Sequence, residues 1–291
     1  MTRALPVANR SIGAAPGHGS LAVEKVAGQS AVVEAWCASP LKLLMPRPRG
    51  PSVWAYMSSF GGGLVAGDQT SVNLRVGAGA RCFLTTQAST KIYRNPARRP
   101  CGHELSVRLE DHALLVLAPD PVQSFADSSY DQRQYFDLHP GAGLVLLDWF
   151  CSGRAARGER WNFHRLRSRN DVSIGGARSL LDSLLLDPVP GPLTAAHRLG
   201  RCNCVAMIAV LGQSLRNQAQ ELLENVQNLP VTRRAPLVVA AGAVRGGMLL
   251  RAAGEHFEDV ARFVYQSLGF VSGLLHDDPW IRKLHSVTAA N

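Results

Sequence analysis

Between Ala31 and Leu181 the chain breaks into short apolar or alternating runs, each closed by Gly or Pro, and this punctuation leaves little but β-structure open to it. Leu105, Val107 and Leu109 alternate with polar residues, as does Ser71-Val72-Asn73-Leu74-Arg75-Val76. Leu114–Leu117 and Leu144–Leu147 are continuous apolar runs, and Pro119, Pro121, Pro140 and Gly141 separate the segments. Period-two alternation places every second side chain on one face, and Gly and Pro interrupt helices. Many short strands with such turns predict an all-β layered body over about residues 31–190. After Pro192 the pattern changes. Met207, Ile208, Val210, Leu211, Leu215, Leu222, Leu223 and Val226 recur at helical spacing, which predicts one helix. His256 to Leu275 predicts a second, ended by Asp277-Asp278-Pro279. Leu237–Leu250 between them predicts a strand or a hairpin turned at Gly246-Gly247. No internal repeat or low-complexity tract is evident.

The 291 residues suffice for a substantial core, and 46% hydrophobic with 18% charged residues is a globular balance. The net charge of +9 comes from 27 Arg and four Lys against 22 acids. Arginine suits bidentate pairing with carboxylates, and the arginines are scattered, so an acidic protein partner fits better than nucleic acid. Six cysteines without a CxxC pair argue against a disulfide scaffold and for a reducing, cytoplasmic setting. Arg245 interrupts the longest apolar stretch, Leu237–Leu250, well short of the ~20 residues of a membrane span. Residues 1–20 are rich in Gly, Pro and Ser and predict a disordered tail ahead of a single domain over 21–291, whose α-containing part covers about 205–275. Arg without acid in the first 23 residues is also a feature of transit peptides.

Gly61-Gly62-Gly63-Leu64-Val65-Ala66-Gly67-Asp68 imitates a phosphate loop but lacks the Gly-Lys-Ser/Thr that opens a helix, and Asp68 would repel phosphate. A turn between strands is the simpler reading. Cys202-Asn203-Cys204 and Cys101-Gly102-His103 are incomplete as metal half-sites, and packed cysteines account for them. The nine histidines form no HxH, HExxH or HxxxH group, and no Gly-x-Ser-x-Gly occurs. Thr85, Thr86, Ser89 and Thr90 either line a polar channel or satisfy neighbouring backbone. Glu159 lies among Arg154, Arg157 and Arg160, as a structural ion pair or as a charge-paired carboxylate on a polar path.

Three motifs in order carry a family resemblance: the glycine run ending in Gly67-Asp68, the expected strand Thr85-Thr86-Gln87-Ala88-Ser89-Thr90-Lys91-Ile92-Tyr93-Arg94, and Gly153-Arg154 through Gly158-Glu159. With Pro40-Leu41-Lys42-Leu43-Leu44 and Asp278-Pro279-Trp280-Ile281-Arg282-Lys283-Leu284, they resemble the urease accessory protein UreD (UreH) family over about residues 20–285. The Leu117–Phe125 segment departs from it in lacking a Trp-Leu-Pro start. The resemblance implies a mainly β fold: an extended, helix-like stack of β-sheets with a small two-helix segment near the C-terminus. It implies a non-enzymatic role in metallocentre assembly, in complex with UreF and the GTPase UreG, docked on apo-urease, with room for a dimer within that complex. It implies no permanently bound cofactor, only nickel in transit through a water-filled tunnel. A transfer path must release its ion, which favours isolated carboxylates, hydroxyls and carbonyls over a His/Cys cage. Asp68 and Glu159 are then the transient nickel contacts, and Thr85, Thr86 and Ser89 line the channel. A competing expectation from the residues alone is a β-rich hydrolase or lyase using Glu159 and Asp148 as an acid–base pair.

Overall fold

The computed structural model describes residues 15–47 and 49–280. In chain order the first strands are β1 (His18–Val26), β2 (Gln29–Cys37), β3 (Leu41–Leu44), β4 (Val53–Ser59) and β5 (Gly63–Leu64). Then come β6 (Gln69–Val76), β7 (Arg81–Thr86), β8 (Thr90–Ile92), β9 (Cys101–Leu109), β10 (Leu114–Leu117) and β11 (Val122–Ser124). The body closes with β12 (Ser129–Leu138), β13 (Gly143–Cys151), β14 (Arg165–Ile174) and β15 (Ala177–Leu186). The last part comprises β16 (Cys204–Leu211), α1 (Arg216–Gln227), β17 (Leu237–Val244), β18 (Gly247–Gly254), α2 (Phe257–Ser267) and α3 (Val271–Leu275).

The chain winds as a coil with two sheet faces and a short-stranded corner. Strands β4, β7, β10 and β13 pair in parallel on one face, and β6, β9, β12 and β14 do so on a second. The short β5, β8 and β11 stack in parallel at the corner between them. Val53 stands beside Cys82, Cys82 beside Leu115 and Leu115 beside Leu144, so successive turns take 29, 33 and 29 residues. A structural repeat is therefore present where no sequence repeat is visible. Both parallel runs end in antiparallel pairs: β1–β2 and β14–β15 on one sheet, β3–β4 and β13–β16–β18–β17 on the other.

The two sheets explain the two kinds of sequence run. The β6–β9–β12–β14 sheet has solvent outside and a core inside, so its strands alternate, as β12 does. The β7–β10–β13–β16 sheet is covered on both faces and reads as continuous apolar sequence: all four residues of β10 are buried, and so are eight of the nine in β13. Its inner side meets the other sheet through ladders such as Leu84–Leu117–Leu146, facing Leu74–Val107–Phe136–Val172. Its outer side is sealed by Leu222, Leu223 and Val226 of α1 and Val260, Val264 and Leu268 at α2.

Several expectations need correction. Met207–Leu211 lies in β16, and the helix starts only at Arg216, beyond Gly212 at φ 108°. A fully buried apolar run carries no period that separates strand from helix. The helix expected over His256–Leu275 is two helices, α2 and α3, divided around Gly269. Thr85–Arg94 is not one strand: β7 ends at Thr86 and β8 begins at Thr90, with the corner of the coil between. The hairpin expected near Leu237–Leu250 is β17–β18. The tail expected over 1–20 falls mostly outside the described residues, and β1 already begins at His18. The stretch from Ile281 to Leu284 also lies outside them.

Leu115 is fully buried between Cys82 and Leu144. Leu115→Ala should lower unfolding free energy by about 2–5 kcal/mol, seen as a reduced urea midpoint with unchanged slope.

Candidate functional site

In a parallel coil each inward side chain stacks on the residues one turn before and after it. At the far ends of the alternating strands these stacks are apolar, as in Val76–Leu109–Leu138–Ile174. Near the strand starts the stack is polar: Thr70, His103, Gln132, Ser168, with Gln134 and Asn170 one rung on. Facing it is Asp148, the sole charged residue of β13. Thr70, His103, Gln132, Gln134 and Asp148 of this layer line a cavity of about 130 Å³ inside the coil. Ser58, Ser59, Thr86 and Ser89, all partly exposed, form its outer end at the corner. Buried Gln132, Gln134 and Asp148 form its inner end.

Asp148 is held by three donors. Gln132 Nε2 donates to Oδ1 at 2.9 Å, while Ser168 Oγ and Asn170 Nδ2 donate to Oδ2 at 2.6 and 2.9 Å. Tyr130 hydroxyl fixes Gln132 by donating to its Oε1 at 3.0 Å. Burial drives the Asp148 carboxyl pKa upward, and nearby Asp182 adds to this, while the three hydrogen bonds pull it back. An arrangement of donors alone suits the carboxylate, the form that burial opposes. Two amide oxygens in the same layer, Gln134 Oε1 and Asn170 Oδ1, have no partner among the described residues.

His103 supplies a nitrogen. Its Nδ1 lies 2.8 Å from Thr70 Oγ1, which is 3.3 Å from the Gly102 carbonyl. Both contacts are satisfied if Nδ1–H donates to Thr70 and the hydroxyl donates onward to Gly102. Nε2, buried and without a partner among the described residues, then keeps its lone pair. Beyond Asp148 lies a second, mainly apolar cavity of about 290 Å³, bordered also by Phe150, Met207, Asp182 and Arg251. Asp148, Met207 and Arg251 share one rung, Gln134, Asn170 and Asp182 another, and Arg251 pairs with buried Asp182.

The residues expected to carry the site divide. Thr86 and Ser89 line the first cavity, whereas Asp68, Thr85 and Glu159 do not. Asp68 closes the turn after β5: its Oδ2 accepts from Val65 N–H at 3.0 Å, and its own N–H reaches the Val65 carbonyl at 3.1 Å. The glycine run is thus a turn between strands, with Gly61, Gly62 and Gly67 at positive φ. Thr85 is fully buried and donates to the Ala118 carbonyl at 2.6 Å, tying β7 to the chain after β10. Glu159 accepts from Arg154 Nε at 3.0 Å and from Ala126 N–H at 3.3 Å, and the Arg154 hydrogen bonds hold its carboxyl pKa below the usual range. Since Glu159 does not line the cavity that Asp148 lines, the two share no cleft as an acid–base pair. In the sequence His103 stands out only as an incomplete metal half-site with Cys101, and Asp120, Gln132 and Gln134 do not stand out at all. The one local signal was Asp148, an acid inside the apolar run Gly143–Cys151. Among the described residues no group of three or more His, Cys, Asp or Glu is arranged to hold a metal ion, and no helix is long and apolar enough to cross a membrane.

Burial pushes the His103 pKa down to about 4 from 6.5. The unfolded chain therefore takes up this proton first, so stability present at neutral pH is lost as pH falls from 6.5 towards about 4. His103→Gln should lose less stability than the wild type between about pH 7 and about pH 5, read from urea midpoints across that range.

A family model described as UreD urease accessory protein matches residues 15–283. The chain is 44% identical over 268 residues to a urease accessory protein UreD of Sorangium cellulosum (strain So ce56), covering 92% of this chain and 84% of that one. A urease accessory protein UreD of Anaeromyxobacter sp. (strain Fw109-5) is 42% identical over 271 residues, covering 93% and 91%. Urease accessory protein D of Arabidopsis thaliana is 32% identical over 291 residues, covering 90% and 99%. The matched span takes in the whole coil, the polar cavity and the helices. The chain belongs to the UreD family of urease accessory proteins.

Proposed function

We propose that this protein is a scaffold and nickel conduit for urease maturation, acting in the cytoplasm with UreF, the GTPase UreG and apo-urease. The observation that carries this reading is the polar cavity running inside the coil from Ser59, Thr86 and Ser89 to Asp148. Its donors are spaced singly: hydroxyls at the outer end, the His103 imidazole along the wall, and a carboxylate with the amide oxygen of Gln134 at the inner end. A borderline divalent ion such as nickel accepts both imidazole nitrogen and carboxylate oxygen. Single ligands hold it loosely enough to pass it on, whereas a closed cage would keep it.

The path starts at Thr86 and Ser89 and ends at Asp148, where a cation would relieve the cost of burying the carboxylate. Asp68 and Glu159 shape the walls from outside: Asp68 sets the turn into β6, and Glu159 with Arg154 fixes the loop after β13. Nickel is cargo on this route, with no resident cofactor. The protein itself catalyses no reaction.

Asp148→Ala, co-expressed with UreF, UreG and the urease subunits, should leave the complex able to co-purify while urease nickel content and activity fall several-fold. Unchanged nickel loading would take Asp148 off the path. The wider reading fails if the wild-type protein reaches apo-urease without UreF and GTP has no effect on activation.

A further inference from the structure

Cys151 closes β13 and Cys204 opens β16, directly across the antiparallel ladder from one another. The adjacent rung is hydrogen-bonded, since Ser152 N–H donates to the Asn203 carbonyl at 2.8 Å. Hydrogen-bonded and non-hydrogen-bonded rungs alternate in an antiparallel pair, so Cys151 and Cys204 occupy the non-bonded kind, where side chains come closest. Their sulfurs are 3.3 Å apart, with the Cys151 thiol donating to Cys204. Strands at this separation bring two cysteines within disulfide reach without backbone movement.

The two thiols differ in access. Cys204 is fully buried, while Cys151 keeps part of its surface in solvent. The hydrogen bond with Cys151, and then burial, hold the Cys204 thiol pKa well above the usual range. Buried Cys82 and Cys101 are pushed up to about 12 by burial, and the Cys101 thiol donates to the Ser129 carbonyl at 3.5 Å instead of meeting a second sulfur. Neither Cys151 nor Cys204 lines the polar cavity, so nothing in the conduit reading uses them.

We propose that Cys151 and Cys204 are a redox site that a hydroperoxide converts into an intrachain disulfide and a thiol reductant restores. Cys151, the accessible partner, attacks a peroxide oxygen. The O–O bond breaks, giving a sulfenic acid on Cys151 and one water. The Cys204 sulfur then attacks the Cys151 sulfur and displaces hydroxide, which leaves with the Cys204 proton as a second water. The two thiols lose two electrons and the peroxide gains them. The bond welds β13 to β16 at the seam where the parallel coil passes into the antiparallel strands. It lies at the mouth of the loop that carries Glu159, beside Asn203, which accepts from Arg160 Nε at 2.6 Å.

The test treats the full-length protein, kept dilute, with hydrogen peroxide. It is then unfolded, alkylated with N-ethylmaleimide, digested and mapped by mass spectrometry. Of the six cysteines, two should escape alkylation, and a Cys151–Cys204 peptide pair should appear that dithiothreitol separates. In Cys204→Ser, dimedone should trap a sulfenic acid on Cys151. In Cys151→Ser, Cys204 should stay fully alkylatable. Six alkylated cysteines in the treated wild type, or a linkage through Cys202 instead, would overturn the assignment. The wild-type map decides by itself if either variant fails to fold.

Discussion

Parallel, in-register stacking is the constraint on which the rest of this molecule depends. Each inward side chain of the coil has fixed neighbours one turn away, so the interior cannot mix apolar and polar residues at random. Val72 sits on Leu105, Leu74 on Val107 and Val107 in turn on Phe136, Val76 on Leu109 and Leu109 in turn on Leu138. One polar residue inserted into such a ladder would lose its water and find no partner. Polar side chains therefore occur together, in the stacked rungs from Thr70 to Ser168 and from Gln134 to Asn170, where Thr70 pairs with His103 and Gln132 with Ser168. The cavity is the space those rungs leave, and its position at the corner end of the coil follows from where the polar ladder was placed.

Asp148 shows how finely this layer is balanced. An isolated carboxylate in an apolar strand would be strongly disfavoured, and three donors from two strands of the opposite sheet offset that cost. The same donors fix Gln132, Ser168 and Asn170 in place, so the acid organises the wall as much as the wall holds the acid. On its other side lies the cavity bordered by Asp182 and Arg251, where the second buried carboxylate already has a cation of its own. The two acids thus differ in their surroundings: one is paired with an arginine, the other held by three neutral donors.

Much of the secondary structure was legible in the sequence because burial writes itself as periodicity. β6, β9 and β12 face water on one side and alternate visibly; β10 and β13, covered on both, appear as apolar runs. The same double burial made β16 ambiguous, and its apolar residues merged with those of α1 into an apparent single helix. The parallel coil could not be read locally, since partners lie 29, 33 or 36 residues apart and the stacked residues are unlike, as in Thr70, His103, Gln132 and Ser168. For that reason motifs reached one stretch of the cavity wall, Thr86, Ser89 and Thr90, and His103 only as a half-site, while Asp68 and Glu159, conspicuous in sequence, have carboxylates engaged by their own turns and loops. A site assembled from one residue per turn has no motif to display.

The antiparallel strands at both ends of the two sheets carry a further consequence. A purely parallel coil presents at each end the same edge that it uses internally, so a second coil could add to it and the process could repeat. Here β2 and β15 terminate one sheet, and β3 and β17 the other, each running against its neighbour. The exposed edges no longer match the hydrogen-bond pattern of the coil's interior, which blocks stacking end over end. A molecule with such terminated ends cannot lengthen by repeating its own coil, so its size is set within the single chain.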